Sequence, residues 1–363
     1  MKNSGRNSIT SRQLIFIIVG SIMGSGVLSL PRIVAKKVGQ DAWMAIILGS
    51  VVPIISLSLI RYLYRRNSAD SFVNICRKVS GRTLGSLFSG ILAIYSIIAT
   101  AAFLRFFVEE ISIFLLAETP MLVKSVLMLA LCAYFAYGDA RVLGRVNEFL
   151  FYILLPLFLF PIPAVIANSD YRNLMPVLNY KVMDYVRAVL ITSYSFSGFE
   201  LYMVFHPYVS REKESFGASL YGILIVIAIY LYAVIASILV FGSELTKTIT
   251  WPFLRLLSTA EIPILERVEF LFIQAWIAVS FRPISAQYYC ASHIIAELMG
   301  LKSHKWITLA LFPIIIGIAS FPSNIFQVFK FSDYVGLLAI AVGIALPLIL
   351  IVLGLFTQKR MAK

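Results

Sequence analysis

The chain has 363 residues, 60% of them hydrophobic and only 13% charged, an apolar load that excludes an ordinary water-soluble domain and points to a polytopic membrane protein. A formal net charge of +13 would suggest nucleic acid in a soluble chain. No basic motif interleaved with aromatic residues accompanies it here, so nucleic acid is excluded as a partner.

Apolar runs recur about ten times at lengths near 20 residues, the length at which an α-helix matches a hydrocarbon core of roughly 30 Å. The first, residues 12–36, begins about a dozen residues into the chain and is followed by further runs, so it reads as a mature helix and not a cleaved signal. It contains GSIMGSGVLSLP, residues 20–31, in which glycines, serines and a proline interrupt a helix expected in lipid. Unwound backbone survives at that depth only where protein encloses a cavity. Gly20 and Gly24 also fit the spacing of a close helix-packing face, and both readings stay open.

The second run covers residues 42–63 and the third 85–116, where Arg105 and Glu109 lie four apart and can pair on one helix face. That pair is either a structural ion pair or a ligand contact. Glu109, Glu110 and Glu118 read as a solvated rim. The fourth run is 120–138 and the fifth 146–167, whose stretch EFLFYILLPLFLFP (148–161) carries no lysine.

The sixth run, 184–208, contains ITSYSFSGFELYMVFHP (191–207), again with small residues in mid-span and a proline downstream. Glu200 lies just past this interruption, where a carboxylate can cap the second half-helix by accepting N–H bonds, relay a proton or meet a ligand. The seventh run is 217–242. The segment 244–267, which includes WPFLRLLSTAEIPILER, is too short and charged to span and reads as a surface element or lid. The eighth run, 267–297, holds Arg282 beside Pro283, a cation that either counters Glu200 or approaches an anionic ligand. The ninth and tenth runs are 305–321 and 334–356.

Runs one and six hold equivalent places if the chain is one membrane domain of two five-helix units, residues 12–167 and 184–356. An odd number of spans per unit inverts the second relative to the first and puts a site at their interface. Each interrupted helix exposes unpaired N–H groups at one new end and unpaired carbonyls at the other. Amides around Gly24, Ser25 and Gly26 are therefore expected to hold a carboxylate, and carbonyls near Ser195, Phe196 and Ser197 an ammonium. Phe196 and Phe199 either cover the ligand's apolar part or are ordinary core aromatics. With the N-terminus inside, inner loops and span ends hold 18 Lys/Arg and 6 Asp/Glu, against 11 of each sign outside. Both termini are thus expected in the cytoplasm.

Cys76, Cys132 and Cys290 are isolated and read as small buried side chains, and His206, His293 and His304 are too scattered in sequence for a metal set. No GxSxG, HExxH or GxxxxGK[ST] pattern occurs, so neither enzyme activity nor a cofactor or metal is expected.

The fold class expected from these patterns is all-α, with about ten transmembrane helices and breaks in helices 1 and 6. GSIMGSGVLSLP resembles the first-helix break of the amino acid–polyamine–organocation transporter superfamily, and SFSGFE resembles its sixth-helix break. Together with NLMPVL (173–178), TWPFLRLL (250–257), ERVE (266–269) and FSDYVGLL (331–338), the chain resembles the B subunit of spore germinant receptors over almost its whole length. The resemblance implies an inverted 5+5 repeat in the inner membrane of a spore or in a cell membrane. It also implies a small nutrient ligand, an amino acid or sugar, and partner A and C subunits. By this resemblance Gly24, Ser25, Gly26, Ser195, Phe196, Ser197 and Gly198 carry the ligand and Arg105 and Glu109 match a charged pair on the family's third helix. Glu200 and Arg282, the latter matching no family pattern, join them as candidate gating residues or charge partners from their depth in the spans. A secondary amino acid transporter using the same site is the alternative.

Overall fold

A computed structural model describes residues 8–67, 71–259 and 268–361. Helix α1 (Ser11–Ile22) starts at Thr10, whose hydroxyl accepts from the Gln13 amide at 3.1 Å while the Gln13 side chain accepts from the Thr10 amide at 3.0 Å, a reciprocal cap. It stops after one half of a membrane thickness, and α2 (Gly26–Val38) resumes after a break at residues 23–25. Gly39, with φ +47°, turns the chain through a short 3-10 piece into α3 (Ala42–Gly49) and α4 (Val51–Asn67).

The third run is the centre of α5 (Phe72–Phe114). Gly81 sits inside it at φ 81°, ψ 171°, and a Cβ on Gly85 would lie 2.5 Å from the backbone of Arg77. The first two turns therefore fold back on the rest, and the long arm starts close to the expected residue 85. Helix α6 (Met121–Ala136) follows, then α7 (Ala140–Leu154) and α8 (Ile162–Asn168), joined by a 3-10 stretch at Leu155–Leu159. Pro156 and Pro161 fall in that junction, where each removes an amide donor and forbids a regular helix.

Helix α9 (Val182–Phe196) carries the first half of the sixth run. A 3-10 turn and α10 (Tyr202–Phe205) carry the second, and the two arms meet at 57°. Helix α11 (Glu212–Thr248) bends at Gly242, φ 70°, where the seventh run was expected to end. The short α12 (Pro252–Ser258) packs Phe253, Leu254, Leu256 and Leu257 into the body. It is part of the core rather than a surface element, and residues 260–267 of the same segment lie outside the described residues. The chain continues through α13 (Val268–Leu298), α14 (Lys305–Ala319) and α15 (Ile325–Ile340), which passes through a π turn into α16 (Leu346–Met361).

The ten runs thus fold as ten helical segments in the expected order. Among the described residues, five helical stretches are long and apolar enough to cross a membrane and the bent α9/α10 pair makes six, while α1, α6 and α14 are shorter apolar helices. The centre is built by α13 packed on α5, α6 and α1, by α11 against α1 and α2, and by α9 against α2, α3 and α15. Leu127, Tyr134, Ile166, Trp306 and Phe321 are exposed on the outer faces, as lipid-facing positions require. The start of α1 and the end of α10 are pinned together by Ile9, which donates to the Tyr208 carbonyl at 2.8 Å and accepts from the Ser210 amide at 2.9 Å.

Candidate functional site

The two breaks face each other. A Cβ on Gly198 would lie 2.1 Å from the Ser21 carbonyl oxygen, and one on Gly26 would lie 3.2 Å from the Ser195 hydroxyl. The backbones approach closely only because both positions lack a side chain, and Gly198 also sits at φ +117°, a conformation that favours glycine.

At the first break Met23 still donates to the Val19 carbonyl at 2.8 Å, and helical bonding resumes with Val27 and Leu28. No acceptor among the described residues takes the amides of Gly24, Ser25 or Gly26. These three donors crowd the N-terminus of α2, where the helix dipole adds partial positive charge. The Ser25 hydroxyl bonds the Ser280 hydroxyl at 2.8 Å instead of capping the helix. Gly24 serves packing as well, since a Cβ there would meet the Pro283 ring at 2.8 Å.

The second break is partly closed from within. Past Phe196, the Ser197 amide donates to the Tyr194 carbonyl at 3.1 Å and the Ser197 hydroxyl to the Ser193 carbonyl at 3.0 Å. Tyr230, from α11, donates to the Ser195 carbonyl at 2.5 Å and lies 3.3 Å from the Ile22 carbonyl, so one hydroxyl serves the open ends of both α9 and α1. Glu200 is fully buried, and its carboxylate accepts the Gly198 amide at 2.9 and 3.1 Å, the Tyr95 hydroxyl at 2.8 Å and the Gln287 amide at 2.6 Å. It fastens the break to α5 and α13.

Between the breaks lies a hollow floored by Gly24, Ser25, Gly26, Ser195 and Ser280 and walled by Ile22, Phe103, Tyr194 and Pro283. In this conformation it is wide enough for about one water molecule. The Tyr194 ring stands 5.5 Å from Phe103 and 5.7 Å from Phe106, so the aromatic part of the wall, Phe103 and Tyr194, is backed by Phe106.

Of the seven residues assigned to the ligand from sequence, Gly24, Ser25, Gly26 and Ser195 border this hollow. Phe196 packs against Tyr230 with ring centroids 5.2 Å apart, Ser197 turns back onto α9, and Gly198 abuts α1. Phe199 packs against the backbone at Gly343. Phe103, Tyr194, Tyr230 and Ser280 were not found from sequence. Tyr194 adjoins the break and Ser280 lies two residues before Arg282, so proximity was a usable signal for those two, whereas nothing local marks Phe103 or Tyr230.

The charged residues sort differently. Arg105 pairs with Glu109 at 2.8 Å and donates through Nε to the Pro322 carbonyl at 3.1 Å, tying α5 to the turn before α15. Arg282 is fully buried, and neither terminal nitrogen of its guanidinium has a partner among the described residues. Its Cδ lies against Gly20 in the last turn of α1, as does the Asn147 amide oxygen, also without a partner. A cation there faces the carbonyl end of α1, where the helix dipole favours it. Glu118 is exposed, but Glu110 is only 4% exposed and its two oxygens have no hydrogen-bond partner. The rim reading therefore fails for Glu110, which points into the bundle. The three cysteines are free and buried. His293 and His304 come together with ring centroids 5.9 Å apart, and among the described residues no group of three or more His, Cys, Asp or Glu side chains is placed to hold a metal ion.

Comparison with known proteins agrees with this architecture. Residues 8–328 match the family described as spore germination protein. The chain is 28% identical to spore germination protein YndE of Bacillus subtilis (strain 168) over 98% of its own length and 99% of that protein, and 24% identical to spore germination protein GerQB of Bacillus cereus over 81% of each. It is 25% identical to spore germination protein B2 of Bacillus subtilis (strain 168) over 98% of each. Among solved structures it superposes on MhsT in complex with L-phenylalanine with a TM-score of 0.66 at 16% identity, covering 97% of this chain and 99% of that one.

Proposed function

Because the chain belongs to the spore germination protein family, we propose that it is a membrane subunit of a nutrient germinant receptor. It binds a small nutrient, an amino acid, between the breaks of helices 1 and 6 and passes the bound state to partner A and C subunits. The observation that carries this reading is the set of three unclaimed amides at Gly24, Ser25 and Gly26, opening on a hollow in the middle of an apolar bundle. Backbone donors left open at that depth are costly unless something binds there. They suit a carboxylate, which gains both hydrogen bonds and the dipole of α2. Shared fold with a protein solved in complex with an amino acid supports the same ligand class.

On this reading the chain is one membrane domain of two inverted five-helix units, residues 12–167 and 184–356, in the spore inner membrane or cell membrane. The excess of Lys and Arg in alternate loops favours both termini in the cytoplasm. Ligand binding signals only through a difference in affinity between two arrangements of the bundle. The narrowness of the hollow, walled by Phe103 and Tyr194, supplies such a difference, because a solute larger than water fits one arrangement and not the other.

The test is the thermal unfolding of the purified chain against a panel of amino acids and sugars. A concentration-dependent rise with an amino acid is expected, and no rise with any of them would remove the reading. Paired helix breaks also suit alternating access, so secondary transport of the same solute is the second reading. Uphill uptake of labelled amino acid by proteoliposomes containing this chain alone would establish it, and tight binding without flux would leave the receptor.

A further inference from the structure

A zwitterionic ligand needs an acceptor for its ammonium group, and several acceptors at the second break are already used. The Ser195 carbonyl is taken by Tyr230, the Tyr194 and Ser193 carbonyls by Ser197, and the Glu200 carboxylate by three separate donor groups. Glu110 is different. It lies beside Ser25, which lines the hollow, and it sits two helical turns from Phe103, another lining residue, on the same face of α5. Both of its oxygens are buried and neither has a hydrogen-bond partner. A bare carboxylate there is costly, and a cation brought by a ligand relieves the cost.

We propose that Glu110 receives the ammonium group of the ligand while the amides at Gly24, Ser25 and Gly26 receive its carboxylate. An α-amino acid carries both groups on one carbon, so a carboxylate held beside Ser25 places the ammonium near Ser25 as well, within reach of Glu110. The substrate class follows: the site takes solutes with an amine next to a carboxylate and discriminates against the same acids without the amine. The inference rests on the amino acid reading of the site given above.

The experiment compares the affinities of L-alanine, L-valine and L-phenylalanine for the purified full-length chain with those of propionate, 3-methylbutanoate and 3-phenylpropionate. At least one amino acid is expected to bind about tenfold or more tighter than its deaminated partner, and Glu110→Gln is expected to bring that ratio close to one. Cooperative thermal unfolding of the variant shows that it is folded. If it does not accumulate, Glu110→Asp keeps the charge but withdraws it by one methylene, and a reduced ratio is expected. A wild-type preference that survives in a folded Glu110→Gln protein, or in Glu110→Asp where only that variant accumulates, overturns the proposal. So does a Glu110→Gln variant that changes only the pH at which ligand binds, since Glu110 is then a proton site. Wild-type binding with no preference for the amine overturns this inference and leaves the site standing, whereas failure of all six compounds to bind overturns the inference together with the amino acid reading.

Discussion

The two helix breaks look alike in sequence and are opposite in chemistry. Both place glycine and serine in mid-span, yet the break after Ile22 leaves three amides open, while at the break after Phe196 the Ser193, Tyr194 and Ser195 carbonyls and the Gly198 amide are answered by Ser197, Tyr230 and Glu200. On the proposed reading one break is a binding surface and the other a fastened joint. A pair of interrupted helices does not imply two equal halves of a site, because what matters is which backbone groups the surrounding spans leave unclaimed.

Four substitutions test this contrast. The largest effect is expected at the joint. Gly198→Ala forces a side chain onto a backbone at φ +117° and into the Ser21 carbonyl. The strain alone costs about 1–3 kcal/mol before the collision is counted. Little folded protein is expected in the membrane fraction, and normal accumulation would show that the breaks do not meet as described.

At the binding break the expected outcome is loss of function with retention of fold. A Cβ at position 26 meets the Ser195 hydroxyl at 3.2 Å and its Cα at 3.4 Å, contacts that a shift of a few tenths of an ångström relieves, so for Gly26→Val folded protein is expected with no ligand-dependent thermal shift. A shift of wild-type size at the same ligand concentration would make the break a packing feature. Glu200→Gln is expected to lower stability by about 1–3 kcal/mol, because an amide cannot accept all the donors that the carboxylate now takes. Unchanged ligand response across pH in that variant would remove any proton relay through Glu200, and an abolished pH dependence would make Glu200 more than a fastener. The smallest effect, about 1 kcal/mol, is expected for Tyr230→Phe, which frees the Ser195 and Ile22 carbonyls. Thermal unfolding measures it, and a loss of several kcal/mol would mean that this hydroxyl holds the whole joint.

How far the molecule could be read from its sequence follows from range. The helix breaks, the turn at Gly39 that closes the first span and the bends at Gly81 and Gly242 lie close to where hydropathy and small residues placed the ends of the runs, because these are local consequences of backbone freedom. The Arg105–Glu109 pair was legible for the same reason, since four residues is one helical turn. The fastening of Glu200 was legible only in part. Its capping of the break was foreseeable from position, but Tyr95 and Gln287 come from spans about ninety to a hundred residues away in sequence and no local pattern announces them.

Glu110 shows the limit most clearly. It adjoins Glu109 in sequence, and successive helical residues point about 100° apart. One acid therefore reaches the paired, partly buried flank while its neighbour is driven into the bundle, and sequence spacing gives that angle without saying which side is the interior. Arg282 likewise could be marked as unusual from its depth, but its place at the carbonyl end of α1 beside Gly20 and Asn147 is a tertiary fact.

The most direct test of the contrast between the breaks is to label the chain with ¹⁵N-glycine, assign its twenty glycine amides by substitution, and titrate it with the amino acid that raises its unfolding temperature most. The amide signals of Gly24 and Gly26 are expected to move together and saturate with binding while that of Gly198, held by Glu200, stays in place. Movement of Gly198 with Gly24 and Gly26 unmoved would contradict the account.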